Sequence, residues 1–245
     1  MTPFPITIKP FGKQAILVEW PDKVEESILE DILQFYRHLE LNYLDPGEWE
    51  FVPAYNSLTL IHREGQIDFT KLRRELKEWY ATRETEPSLK HFLWKLPVCY
   101  DPQFGIDLGE IAVMLGKTVS EVIEEHTRHT YTVYGIGFLP GFMYLGGLPK
   151  YMETSRKETP RPKVVKGAVG LAGKQTGIYP QESPGGWNII GNCPIPIFDV
   201  TKEDPCFVNI GDKIQFYAIP KAEHELHKIE AEVGIYKIEK IQMNA

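Results

Sequence analysis

Apolar and polar positions follow two different periods in the first third of this 245-residue chain. Short apolar runs that end at turn residues predict strands over residues 15–20 and 57–63. Apolar residues recur every three or four positions over residues 23–39 and again after Asp68, which predicts two amphipathic helices. The order strand, helix, strand, helix predicts a small α/β sandwich over residues 1–88.

A polar stretch with a proline, "TRETEPSLKH" (residues 82–91), is typical of a linker and places the domain boundary between residues 88 and 89. The apolar run "FLWKLPVCY" then predicts a strand. Asp107 with Glu110, and Thr118 with Glu121, have the spacing of a capping box, so a helix is expected to begin at each pair.

From Tyr131 onward the helical period gives way to short apolar pieces between turn signals: "YTVYGIGF", "AVGLAG", "WNIIG", "IPIFDV" and "KIQFYAI". Short strands at such spacing predict a barrel or a sandwich over residues 89–245. The predicted fold class is therefore α+β, with a small sandwich domain followed by a β-rich domain.

Composition narrows the classes of function. The formal net charge is −7 and no basic stripe is visible, which argues against nucleic acid as a partner. No apolar run approaches the roughly 20 residues needed to cross a membrane, and the first residues do not read as a secretory signal. The three cysteines are widely spaced, which favours a reducing cytoplasm over a disulfide framework.

Two segments are dense in glycine, proline and aromatic residues: "GFLPGFMYLGGLPK" (137–150) and "GKQTGIYPQESPGGWNIIG" (173–191). Tight turns alone would explain many of these glycines and prolines. Polar side chains nevertheless interrupt the apolar stretches, and Arg161 adds a cation suited to a carboxylate or a phosphate. Apolar walls with a few convergent polar groups favour a small-molecule pocket.

Other patterns come close to known motifs without matching them. "AVGLAGKQ" has Ala168 in place of the first glycine of a phosphate-binding loop and Gln175 in place of the metal-binding hydroxyl. The position of His126 has two interpretations: a histidine at the negative end of a helix dipole, or a residue that faces a functional site. His224 and His227 are three residues apart without a third ligand, which favours an exposed helix face over a metal site.

The motifs "GFLPGFMYLGGLP", "TPRPKV", "GKQTGIYP" and "SPGGWNIIG" followed by "PIFD" resemble, in order and spacing, the family of the B subunit of 5-oxoprolinase. That family is also called allophanate hydrolase subunit 1 and includes the sporulation kinase inhibitor KipI. The resemblance covers nearly the whole chain. It implies an N-terminal α/β domain, a C-terminal cyclophilin-like β-barrel and similarity to half of the carboxyltransferase region of urea carboxylase.

The resemblance also implies a function. The chain would be one of three subunits, with homologues of 5-oxoprolinase subunits A and C, in an assembly that converts 5-oxo-L-proline to L-glutamate. ATP would be the co-substrate, and magnesium is compatible with it. The alternative is a KipI-like protein that binds and inhibits a sensor histidine kinase. The shared motifs do not separate these alternatives.

The expected site combines the two glycine-rich segments in one pocket. The expected catalytic residues are His126, Arg161 and Gln175. The expected substrate-binding residues are Phe138, Pro140, Thr176, Tyr179, Ser183 and Trp187, with no protein metal ligand. Ala168 lacks the hydroxyl that the family usually has at this position. This difference bears on the identity of the substrate and not on the expected fold.

Overall fold

The computed structural model describes residues 4–84 and 90–243. The chain divides into two compact units, residues 1–90 and 91–244. The predicted boundary between residues 88 and 89, and residues 85–89 of the predicted linker, lie outside the described residues.

The first unit is a four-stranded antiparallel sheet with two helices. Its strands are β1 (Thr7–Pro10), β2 (Ala15–Glu19), β3 (Trp49–Ala54) and β4 (Ser57–His62), in the spatial order β1-β2-β4-β3. Its helices are α1 (Glu26–Asn42) and α2 (Phe69–Thr82). Alternate residues of β2 and β4 share one apolar core with buried residues of both helices. The predicted helices and two of the four strands are confirmed, and β1 and β3 are additional.

Asp31 on α1 joins the parts of this unit through three hydrogen bonds. Its carboxylate accepts from Trp20 Nε1 at 2.7 Å, from the Tyr80 hydroxyl at 2.6 Å and from Arg83 at 2.5 Å. Because one carboxylate takes donors from beside β2 and from the end of α2, it fixes both helices relative to the sheet.

In its described residues, the second unit is a closed β-barrel with three α-helices and a short 3-10 helix (Lys150–Met152). Its strands are β5 (Phe92–Cys99), β6 (Thr130–Ile136), β7 (Met143–Gly146), β8 (Arg161–Val164), β9 (Ala168–Ala172), β10 (Gln175–Ile178), β11 (Ser183–Gly185), β12 (Asn188–Asn192), β13 (Lys213–Ile219) and β14 (Glu239–Gln242). Its helices are α3 (Leu108–Met114), α4 (Val119–Arg128) and α5 (Lys221–Glu232).

The barrel closes through strands that are distant in the sequence. Among the described residues, seven strands run in the order β12-β9-β10-β7-β6-β13-β5, and Asn192 of β12 pairs with Cys99 of β5 to close the ring. β14 extends the sheet beside β5, and β8 with β11 forms a separate two-stranded ribbon. The predicted α+β class with a β-barrel domain is confirmed.

Two local expectations from the sequence are corrected here. Asp107 precedes α3 but makes no cap hydrogen bond, because its carboxylate is engaged by residues from other elements. "IPIFDV" forms no strand and has only an isolated bridge at Phe198. Its proline, Pro196, cannot donate to a ladder, and neither can Pro194 just before the segment, which explains this failure. The capping box of Thr118 and Glu121 is present as expected.

Candidate functional site

The first glycine-rich segment forms a surface loop and then β7. Phe138 lies in the loop at a positive φ of 62° with 66% of its surface exposed, and Pro140 is also exposed. Phe142, by contrast, is buried. Its ring stands edge-on to the rings of Tyr179 and Trp187, at centroid distances of 5.3 and 5.4 Å. The segment thus supplies one wall of an aromatic cluster.

The second glycine-rich segment supplies the rest of that cluster and its polar atoms. Tyr179 and Trp187 are buried, and the backbone of Trp187 hydrogen-bonds the Tyr179 hydroxyl. Burial raises the pKa of Tyr179, so the phenol is neutral at physiological pH. A Cβ on Gly185 would overlap that hydroxyl, so only glycine allows the ribbon to lie so close to Tyr179.

Arg161 lies in the ribbon beside this cluster and is paired with Asp107. Its guanidinium donates to Asp107 Oδ1 at 2.5 Å and makes a longer contact of 3.5 Å with the carbonyl of Trp187. Asp107 also accepts from Lys157 at 3.0 Å and from the backbone N–H of Ile189 at 2.7 Å. Sequence reasoning missed these roles of Asp107 and Lys157, since the only visible signal at Asp107 was its capping-box spacing.

The environment of Asp107 keeps it ionised. Burial on its own would raise the pKa of this carboxyl, but hydrogen bonds from Arg161, the Ile189 N–H and Lys157 outweigh burial and hold the pKa below its usual range. One negative charge therefore faces two cations. With about a quarter of its side chain exposed, Arg161 keeps N–H groups for a further acceptor.

His126 is buried inside the barrel domain with no exposed surface. Its Nδ1 is 2.7 Å from the Tyr100 hydroxyl, and its Nε2 is 2.9 Å from the Thr176 hydroxyl. Thr176 in turn donates to the carbonyl of Gly170 at 3.1 Å. That last bond uses the only proton of Thr176, so His126 Nε2–H donates to Thr176 and Tyr100 donates to Nδ1.

Burial determines the protonation of His126. Desolvation, with a smaller contribution from the charge of His129, lowers its pKa to about 3. The ring is thus neutral near pH 7, as the hydrogen-bond chain requires. Among the described residues, no hydrogen bond connects His126 with Arg161.

The remaining expected residues are spread around these two groups. Ser183 is buried at the start of β11, and its hydroxyl donates to the carbonyl of Pro184. Gln175 is half-buried at the start of β10, opposite Ala172. The structure therefore brings Arg161, Tyr179 and Trp187 together and brings His126 together with Thr176.

Features for metal or phosphate binding can also be located. Within residues 4–84 and 90–243, no group of three or more His, Cys, Asp or Glu side chains is arranged to hold a metal ion. The stretch that approached a phosphate-binding motif forms the hairpin of β9 and β10 and leads into no helix. In the same described part, no helix is long and apolar enough to cross a membrane.

His224 corrects the expectation of an exposed histidine pair on α5. It is 95% buried, and its Nε2 lies 2.8 Å from Asn192 Oδ1. His227 is half-buried and contacts Glu223 and Glu230. The spacing of the two histidines favoured a helix but could not show that one of its faces lies on the barrel.

Comparison with known proteins gives a consistent picture. Residues 6–208 match the family model for the carboxyltransferase domain, subdomain C and D. The chain is 32% identical over 238 residues to the B subunit of 5-oxoprolinase from Bacillus subtilis (strain 168), which covers 91% of this chain and 97% of that protein. It is 35% identical over 178 residues to the corresponding 5-oxoprolinase protein of Escherichia coli O157:H7, covering 73% and 80%.

Solved structures with the same fold include longer chains. The structure of TTHA0988 superposes with a TM-score of 0.72 at 32% identity, covering 87% of this chain and 40% of that one. Kluyveromyces lactis urea carboxylase superposes with a TM-score of 0.77 at 18% identity, covering 97% and 24%, which is a likeness of fold. The chain thus spans less than half of either of these solved chains.

Proposed function

Because the chain belongs to the family of the B subunit of 5-oxoprolinase, we propose that it is a subunit of an ATP-dependent 5-oxoprolinase. The observation that carries the proposal is the end-to-end likeness to the Bacillus subtilis relative, of which the chain covers 97%. The reaction is the opening of 5-oxo-L-proline to L-glutamate.

The chemistry sets requirements for the assembly. The substrate is a lactam in an unstrained ring, which water attacks poorly. Transfer of the terminal phosphoryl group of ATP to the amide oxygen, with ADP leaving, makes the ring carbon electrophilic. Water then adds to this carbon, and the C–N bond breaks with the nitrogen leaving as the amine. A second water hydrolyses the resulting γ-glutamyl phosphate to L-glutamate and inorganic phosphate. Positioned donors are needed where negative charge develops on oxygen. Magnesium accompanies the phosphates of ATP in this scheme.

Arg161 is the residue of this chain that we propose to bind substrate. Its guanidinium suits a carboxylate or a phosphate, and its pairing with Asp107 fixes its orientation in advance. Tyr179 and Trp187 form the buried aromatic cluster beside it, and Phe138 and Pro140 occupy the exposed loop that follows β6. Gln175 and Ser183 are further proposed polar contacts. The partial exposure of Arg161 supports this site.

For His126 the proposed role is positioning. A ring with no exposed surface and a pKa near 3 does not exchange protons with a surface ligand at neutral pH. Its bonds to Tyr100 and Thr176 instead join α4 to the barrel strand β10, which carries Gln175. We therefore propose that His126 and Thr176 support the site from inside the barrel.

The proposal also includes partners. This fold makes up 40% and 24% of the TTHA0988 and urea carboxylase chains, so in those proteins it works beside further polypeptide. For this chain we propose homologues of 5-oxoprolinase subunits A and C as separate partners, in the cytoplasm. Its three cysteines are free, as suits a reducing compartment.

Co-expression of the chain with homologues of 5-oxoprolinase subunits A and C, followed by an assay of glutamate released from 5-oxoproline, tests the function. We expect release only with ATP and all three chains. The controls are each chain alone and a non-hydrolysable ATP analogue. A stable three-chain complex that releases no glutamate would contradict the proposal. Inhibition of histidine kinase autophosphorylation by the chain alone would then favour the KipI-like alternative.

A further inference from the structure

A cavity of about 410 Å³ lies between α5 and the loop that follows β12. Its volume falls within the range of small-molecule sites. The loop contributes Pro194, Ile195, Pro196 and Ile197, and Phe104 closes another side. The walls are therefore largely apolar and are stiffened by proline. The polar residues expected around Arg161 are absent from this lining, apart from Tyr179.

A chain of hydrogen bonds holds the walls together. Asn192 Nδ2 donates to the carbonyl of Lys166 at 2.9 Å, so its Oδ1 is an acceptor. His224 Nε2, at 2.8 Å from that oxygen, is consequently the protonated nitrogen of the ring. The end of β12, the turn before β9 and α5 are thus linked through three residues. The cavity exists without rearrangement of these walls.

One atom in this wall is left without a partner. His224 Nδ1 is buried and makes no hydrogen bond within the described part of the chain. With Nε2 protonated, Nδ1 carries a lone pair that needs a donor. A buried acceptor without a donor destabilises the fold, so a water molecule that donates to Nδ1 would complete this wall; a carboxylate only accepts and would not replace it.

The charged residues that line the cavity favour an anionic ligand. Lys166 and Lys228 both line it, and neither makes an ion pair with any described residue. Glu232 also lines it, one helical turn beyond Lys228, and likewise has no ion-pair partner among the described residues. The lining thus carries two cations and one carboxylate, while Asp199, outside the lining, is close enough to Lys166 to interact with its charge.

We propose that this cavity binds a small monocarboxylate with an apolar body. The apolar part would lie against Pro194 and Ile195, and the carboxylate would face Lys166 and Lys228. Glu232 competes with the ligand for these lysines. The proposal concerns the chain by itself and does not depend on the oxoprolinase reaction.

Titration of the ¹⁵N-labelled full chain with cyclopentanecarboxylate, followed by amide chemical shifts, tests the proposal. The uncharged cyclopentanecarboxamide has nearly the same shape and is the matched ligand control. We expect saturable shifts at Gly167, Asn192 and His224, with a dissociation constant on the order of 1 mM for so small a ligand. The amide should bind about tenfold more weakly.

Four variants separate the contributions of charge and of cavity volume to ligand binding. Lys228→Met should weaken binding by about 3- to 5-fold, and Glu232→Gln should strengthen it by about 2-fold, because exposed charge pairs contribute modestly. Ala231→Phe, which fills the cavity from α5, should abolish it. Lys221→Met removes a cation that lies on the same helix but outside the cavity, and it should leave the affinity for the carboxylate unchanged. Retained amide-shift dispersion shows that each variant folds.

Several outcomes would overturn the proposal. Equal affinity for the acid and the amide would remove the role of charge. Unchanged affinity in Lys228→Met and Glu232→Gln would do the same. Undiminished binding in a folded Ala231→Phe variant would place the ligand elsewhere. Absence of saturable shifts up to about 20 mM carboxylate would exclude a site of this affinity.

Discussion

The hydroxyl of Tyr100 lies 2.7 Å from Nδ1 of His126 and fixes the tautomer of a histidine that has no exposed surface. From this contact a single direction of donation runs through His126 and Thr176 to the carbonyl of Gly170. This series of hydrogen bonds links Tyr100, the residue after β5, to α4, β10 and β9. It therefore stabilises the barrel only while the imidazole is neutral.

The stability of the barrel should consequently depend on pH through His126. Its pKa is about 3 in the folded chain and about 6.5 in an unfolded one, so the unfolded state binds the extra proton between these values. The free energy of unfolding should fall by about 1.4 kcal/mol per pH unit as the pH drops from 6.5 towards 3.

His126→Gln provides the comparison, because glutamine can keep a hydrogen bond but does not titrate. Urea denaturation of both proteins between pH 4 and 8 should give curves that converge as the pH falls, since only the wild type loses this contribution. Parallel stability curves would contradict the assignment of a strongly lowered pKa.

Asp107→Asn should destabilise the second unit by about 2–4 kcal/mol, because it leaves Arg161 and Lys157 facing an uncharged group in a largely buried place. Glu110→Gln is the matched control. Its carboxylate also contacts Lys157 but is 62% exposed. The free energy of unfolding should therefore fall by less than about 0.5 kcal/mol. Chemical denaturation of both variants measures the difference. Equal small losses would mean that Asp107 contributes no more than a surface charge.

Arg161→Lys should leave the chain folded and reduce the activity of the assembled complex. Lysine keeps the charge but lacks the planar fork that can bind Asp107 and a substrate oxygen together. A loss of about 2 kcal/mol or more corresponds to roughly a 30-fold lower kcat/KM. Lys163→Met is the control, since Lys163 lies in the same strand but pairs with Glu182 at the surface. Wild-type turnover in the Arg161→Lys complex would exclude the proposed substrate contact.

Gly167→Ala should be far more destabilising than Gly173→Ala. Both glycines have positive φ, which costs an L-residue about 1–2 kcal/mol. At Gly173 the added methyl group would meet open space, whereas at Gly167 it would overlap the carbonyl of Cys193. We expect a loss of roughly 3 kcal/mol or more at Gly167 from strain and overpacking together. Similar thermal midpoints for the two variants would contradict the close approach of these segments.

The parts of the fold that local pattern determines were predictable. "KIQFYAI" alternates and coincides with β13, and the capping box at Thr118 starts α4 as expected. The short strands β1 and β3 were missed because each contains a proline and depends on its neighbours for pairing. Pro196 within "IPIFDV" and Pro194 just before it were the signal that this segment would line a cavity rather than join the sheet.

The candidate site was predictable in composition but not in grouping. Arg161 was recognised as a cation suited to an acidic group, yet its present partner, Asp107, lies 54 residues earlier in the chain. His126 was expected in one pocket with Arg161 because it precedes the first glycine-rich segment. Only the tertiary structure shows that His126 lies inside the barrel domain. Spacing along the sequence carries no information about which face of a strand or helix meets which neighbour.

The parallel pairing of β5 with β13 has a consequence for synthesis on the ribosome. Cys99 pairs with Ile219, so β5 has no β13 partner until another 120 residues have been synthesised. At about 5–20 residues per second, this wait lasts roughly 6–24 s. For most of that time an apolar strand has neither its β13 neighbour nor the β12 contact that closes the ring, because Asn192 of β12 is made 93 residues after Cys99. We therefore expect the nascent chain to engage a general chaperone between the emergence of β5 and of β13.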